Sequence, residues 1–208
     1  MQPEGAQEWP VSVPRHCAEQ RHAGDGKQPP LILRSGCSPR LMPGVRRVWI
    51  NQTSQEQFVD FLLEAKRTTY AGQGDEATVT PLVPGSKQLE YRDGDYLYRD
   101  IYFGMAYFVG QEVVFHREQA VWSMSYAGGV MPLSRDNSDT CTIYAFLRLA
   151  LRHGGRDEPY RGPAAFTRDF LTYTNSSSGS LAIFSGVEGI SREGAQIYEC
   201  RYAGGLLR

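Results

Sequence analysis

This 208-residue sequence has no long apolar run, no excess of charge of either sign and no closely paired cysteines. Each lack excludes something. A helix that spans a bilayer needs about 20 consecutive apolar residues, and every apolar run here falls far short of that. Lys plus Arg number 22 and Asp plus Glu 23, a formal net charge of −1. No basic field is left to attract phosphate backbones or anionic membranes, so direct binding to nucleic acid or a membrane is not expected. The first 30 residues hold no apolar stretch of the secretory kind, which points to a cytoplasmic location. Cys17, Cys37, Cys141 and Cys200 form no CxxC pair and are expected as reduced thiols. His16, Cys17, His22 and Cys37 match no standard zinc spacing, and GxSxG, P-loop and HExxH motifs are missing. Neither a metal nor a cofactor is expected.

Aromatic residues, by contrast, are plentiful at 12%, with twelve Tyr among them. They avoid the first 45 residues almost entirely. That stretch holds Pro3, Pro10, Pro14, Pro29, Pro30, Pro39 and Pro43, seven of the twelve prolines, and no sustained periodicity. It buries too little apolar surface to offset an ordering cost of about 1–2 kcal/mol per residue, so residues 1–45 are expected to be a disordered extension. Met42 near its end is an alternative natural start.

From Arg46 the pattern changes. Thr53-Ser54-Gln55-Glu56 reads as a capping box, followed by Phe58, Phe61, Leu62 and Ala65 at helical spacing, with Ala71-Gly72 as the stop. A second helix is predicted at about 140–153 from Ile143, Phe146, Leu147, Ala150 and Leu151. Strands are predicted at 96–108, 111–115 and 121–126.

The sequence also resembles itself. Residues 108–130 and 184–206 align without gaps at an offset of 76, with seven identities in 23 positions: Phe108/Phe184, Gly110/Gly186, Glu112/Glu188, and Tyr126-Ala127-Gly128-Gly129 against Tyr202-Ala203-Gly204-Gly205. Unrelated segments would share one or two. The helices precede these blocks in matching order, at an offset of 85. The reading is an α+β domain over 46–208, made by internal duplication of a helix plus three antiparallel strands. Repeat one covers about 53–130 and repeat two about 139–208, with the helices packed on one sheet face. The Gly-Gly pairs supply either positive φ or a close approach of two backbones.

The segments Thr69-Tyr70-Ala71-Gly72, Gly85-Ser86-Lys87-Gln88-Leu89-Glu90-Tyr91, Leu97-Tyr98-Arg99-Asp100-Ile101-Tyr102-Phe103-Gly104 and Trp122-Ser123-Met124-Ser125-Tyr126 resemble a prokaryotic family of domains of unknown function. The resemblance covers about residues 55–208. Members of that family often stand behind a Xre-type helix-turn-helix, and others stand alone; no helix-turn-helix is legible in this chain. In architecture the duplicated units are also similar to GyrI-like effector-binding domains, whose two halves enclose an aromatic-lined cavity. Both resemblances imply a stand-alone relative of regulator sensor domains, with a small-molecule effector and a helix-turn-helix regulator or a second copy as partners.

The residues leave several roles open. Glu112 and Glu188 occupy equivalent positions, either as a carboxylate pair, as anchors for a cationic ligand, or as turn caps or partners of backbone amides within their own repeats. Tyr126 and Tyr202 are either core aromatics or pocket walls. Tyr96, Tyr98, Asp100 and Tyr102 share one strand face, which suits a binding surface or a half-solvated edge. The expected ligand site lies between the repeats, lined by Tyr91, Tyr98, Tyr102, Trp122, Tyr126 and Tyr202 with Glu112 and Glu188 as polar anchors. The alternatives are an enzyme using paired Glu112 and Glu188, or a protein-interaction domain.

Overall fold

The computed structural model describes residues 52–73, 79–131 and 137–207. They belong to a compact unit, Arg46–Arg208. The expected extension, the Met42 start and the His16/Cys17/His22/Cys37 grouping lie outside the described residues.

Helix α1 spans Gln52–Thr68, a single-turn α2 Tyr70–Gln73, and α3 Asn137–Leu151. The strands are β1 (Lys87–Asp93), β2 (Tyr96–Gly104), β3 (Tyr107–His116), β4 (Gln119–Val130), β5 (Ala165–Arg168), β6 (Leu171–Ser180), β7 (Ile183–Arg192) and β8 (Ala195–Leu206). Because α1 begins at Gln52, Thr53 falls inside the first turn rather than at the cap. Among the described residues no helix is long and apolar enough to cross a membrane.

The α+β expectation of helix-plus-three-strand units is overturned. The fold is β-rich: one antiparallel sheet of eight strands in the order β1-β2-β3-β4-β8-β7-β6-β5. Two physical facts account for the error. Each half has four strands, and β6 (LTYTNSSSGS) shows apolar alternation only at Leu171 and Tyr173 before a run of small polar residues. The last strands of the two halves then hydrogen-bond to each other, so two sheets become one. Likewise the predicted strand at 96–108 is broken by a turn after Gly104 (φ +92°).

The strand order reads identically from either edge to the middle. Along β4 and β8 the partners include Trp122↔Leu206, Tyr126↔Tyr202 and Val130↔Tyr198. Tyr126 and Tyr202, related by the offset of 76, are therefore direct neighbours at the centre of the sheet. The β-bulges fall at Val114/Phe115 and Ile190/Ser191, also 76 apart. Gly128 and Gly204 are explained by proximity and not by positive φ. A Cβ on Gly128 would lie 2.5 Å from Cys200 Cα, and one on Gly204 2.8 Å from Met124 Cα, so the β4–β8 seam closes only over bare backbone.

Trp122, Met124, Tyr198, Cys200 and Tyr202 face inward and join Phe58, Leu62, Ile143 and Leu147 of the helices in one core. Trp122 lies against Phe184 (ring centroids 5.8 Å) and Phe58 (6.3 Å). Cys200 is buried, whereas Cys141 is exposed on α3.

Candidate functional site

The repeated Phe-x-Gly-x-Glu and Tyr-Ala-Gly-Gly blocks build one local device twice. Gly110 is the cross-strand partner of Tyr126, and the tyrosine ring lies directly over it. A Cβ at Gly110 would come within 2.5 Å of Tyr126 Cζ and 2.6 Å of Tyr102 Cβ. Bare backbone there lets the ring cross β3 to β2, where its hydroxyl donates to Asp100 Oδ1 at 2.6 Å. In the other half Tyr202 crosses Gly186, and its hydroxyl donates to Asn175 Oδ1 at 2.7 Å. Gly110→Ala is therefore expected to displace Tyr126 and cost about 1–3 kcal/mol, the usual range for overpacking. Urea denaturation of the variant checks this, and an unchanged midpoint would contradict the ring-over-glycine geometry.

The face of β2 carrying Tyr98, Asp100 and Tyr102 is the buried one. Its polar groups meet partners from four elements. Asp100 is the cross-strand neighbour of Glu112, and Glu112 is ion-paired with Lys66 of α1. Tyr98 adds a hydrogen bond to Glu112. In the other half Asn175 neighbours Glu188. Arg161 grips Glu188 with two parallel bonds of 3.0 and 2.5 Å, while Tyr173 and Tyr198 donate to the same carboxylate at 2.7 and 2.9 Å. Arg161 also joins the halves: its Nη1 is 3.8 Å from Glu112 Oε1, and its guanidinium lies 5.7 Å from the Tyr126 ring centroid.

The halves differ at one charge. Asp100 and Asn175 stand in equivalent places, each opposite its glutamate and each accepting from its tyrosine, yet only Asp100 can ionise. Asn175 donates its amide to the Gly162 carbonyl at 3.1 Å, and the Gly162 N–H donates to Tyr173 at 3.0 Å. The loop after Tyr160 thus covers the second half's polar cluster.

Three buried carboxylates, Asp100 (4% exposed), Glu112 (2%) and Glu188 (0%), face two cations in this interior. Burial, then repulsion by Glu112, pushes the Asp100 carboxyl up to about 7, against the pull of Tyr126, Lys66 and Arg161. Lys66 is lowered by burial, with Glu112 opposing. The Tyr98 and Tyr126 hydroxyls are raised by burial and neighbouring carboxylates, so both stay protonated and act as donors.

Beside the first half's cluster lies a cavity of about 60 Å³. Lys66, Asp100, Glu112 and Arg161 supply its polar wall, and Tyr102, Phe108, Tyr126, Tyr144 and Tyr160 are among its rings. Four residues named from the sequence line it: Tyr98, Tyr102, Glu112 and Tyr126. The other four do not. Tyr91 packs on Phe61 (5.7 Å). Trp122 sits in the core with its Nε1 lacking a partner. Tyr202 is bonded to Asn175, and Glu188 is enclosed by Arg161 and two tyrosines. Neither glutamate caps a turn, for both lie within strands.

Sequence reasoning did not assign Lys66, Asp100, Arg161, Tyr144 or Tyr160 to the site. Lys66 looks like an ordinary helix-terminal lysine and Arg161 like part of a turn. Asp100 had a signal, since it lies on the same strand face as Tyr98 and Tyr102.

A family model described as a domain of unknown function, DUF5680, matches residues 100–207, which is 108 of the 208 residues. The chain belongs to this family. The DUF5680 region begins at Asp100 itself and carries Glu112, Tyr126, Arg161 and Glu188, whereas Lys66 and Tyr98 lie ahead of it. The match is consistent with the expected domain of unknown function over residues 100–207, and it shows neither the Xre-type association nor the GyrI-like analogy. No curated protein and no solved structure matches the chain.

Proposed function

We propose that this DUF5680 protein is a binding module for a small effector, built from two copies of one unit, of which the first keeps an open site. The observation that carries the reading is the cavity at Asp100, where aromatic rings and ionisable side chains converge. A volume of about 60 Å³ suits a compact ligand or one group of a larger one. The resemblance to domains found behind Xre-type helix-turn-helix modules supports a bacterial, cytoplasmic sensor whose partner is a separate regulator or a second copy of this chain. The similarity to GyrI-like effector-binding domains extends only to two halves meeting at a shared ligand space.

An enzyme using Glu112 and Glu188 together has less support. Glu188 accepts four hydrogen bonds, does not line the cavity and has no open space between it and Glu112 in which a substrate would sit.

The test is a thermal-shift screen of the full chain against metabolites, nucleotides, amines and carboxylates, repeated on Leu151→Trp. Leu151 lines the cavity from the half-buried end of α3, so an indole there fills the space while leaving the polar cluster alone. A ligand at 100 times its Kd adds about 2.7 kcal/mol, several degrees for a domain of this size. Hits that vanish in Leu151→Trp are expected. Hits that survive it would refute this cavity as the site.

A further inference from the structure

We infer that the cavity accepts a small organic cation, an alkylated amine, with Asp100 as its counter-ion. This deepens the ligand-binding reading and rests on it. Lys66 is matched by Glu112, and Arg161 by both oxygens of Glu188. Each internal cation therefore has its own carboxylate, and Asp100 is the acid left over. Its hydrogen-bond partner, Tyr126, is a neutral donor. A buried carboxylate without a counter-charge is costly, and an arriving cation removes that cost.

The walls favour the same occupant. Tyr102, Phe108, Tyr126, Tyr144 and Tyr160 line the cavity, and the negative faces of such rings attract alkylammonium groups. An anion would enter a space whose cations are already paired and whose spare charge is negative.

The second half acts as an internal comparison. Where its own loop covers the cluster, the equivalent residue is the uncharged Asn175, bonded to that loop's carbonyl at Gly162. At this pair of equivalent positions the ionisable residue is the one that lines the cavity.

Asp100 is faced by Tyr98 on its own strand, Glu112 on β3, Tyr126 on β4, Lys66 on α1 and Arg161 from the loop before β5. With the carboxyl poised at about 7, a cation that needs the ionised form binds more tightly as pH rises. The ionised fraction grows from about one eleventh at pH 6 to about ten elevenths at pH 8, so affinity grows roughly tenfold.

One molecular shape in three charge states tests this: tert-butylammonium, tert-butanol and pivalate, each titrated into the full chain by calorimetry at pH 6 and pH 8. The expected result is binding of the ammonium alone, roughly tenfold tighter at pH 8, and lost in Asp100→Asn. That variant copies the Asn175 arrangement and so is expected to fold, and the pH comparison needs no variant. Binding of pivalate or tert-butanol that Leu151→Trp abolishes would overturn the cation preference and leave the cavity reading standing. Ammonium binding that survives both Asp100→Asn and Leu151→Trp would overturn both, and silence from the ammonium at 50-fold excess over millimolar affinity would overturn the inference itself.

Discussion

Replacing Asp100 by Asn is expected to stabilise the protein at pH 8 by about 2–4 kcal/mol, with the gain shrinking to nothing near pH 4. The cause is the raised carboxyl, which sits at about 7 in the fold against an ordinary value of 3.8. Between those values the folded protein holds a proton that the unfolded chain has released. The corresponding stability is fully present below about pH 4 and is lost as pH rises through 7. Three pH units at about 1.4 kcal/mol each set the upper end of the range. Urea denaturation of both proteins at pH 4.5, 6 and 8 measures the difference directly, and subtraction removes every other titrating group. Parallel curves would show that Asp100 does not carry the proton. A stabilising substitution at a buried carboxylate would also fit a residue kept for binding at the expense of stability.

Arg161→Met is expected to be the most damaging single change in the interior. It strips the paired charge from Glu188, which has no exposure to water at all. Tyr173 and Tyr198 would still donate, but two neutral donors do not balance a buried anion. Breaking one side of a buried ion pair costs about 3–5 kcal/mol, which corresponds to roughly 10–15 °C in Tm for a domain of this size. Adding Glu188→Gln to the same chain removes the orphaned charge and is expected to recover more than half of that loss. Circular dichroism melts of the two single variants and the double variant give the coupling. A loss under 1 kcal/mol for Arg161→Met would mean that Glu188 is held by its tyrosines alone.

The sequence made some of this visible because certain identities have a physical cause. Gly110, Glu112 and Tyr126 recur at 186, 188 and 202 because the ring-over-glycine crossing needs all its parts at once. Other features were hidden. Fixed-offset alignment never sets Asp100 against Asn175, because those two are 75 apart. The β2–β3 turn has three residues between its paired ends, 105–107, and the β6–β7 turn only two, 181–182. One inserted residue conceals the substitution that separates the two halves. β5 and β6 were illegible for another reason: β5 has four residues, and β6 alternates only at Leu171 and Tyr173 before running into small polar residues. Lys66 and Arg161 become cavity residues only through contacts 46 and 27 positions away along the chain, which no local pattern can report.

The β4–β8 seam has a consequence for how the molecule comes into being. β8 lies at the end of the described chain but in the middle of the sheet. During synthesis β4 emerges well before its central partner, so one of its edges carries unpaired amides and carbonyls until residues 195–206 have left the ribosome. The earlier half is then a template waiting for a strand, and the native topology closes last at its centre instead of its rim. Such non-local closure is slow. A crowded polysome therefore offers each nascent chain a neighbour's identical edge, and this fold's quality control falls on the interval between β4 and β8.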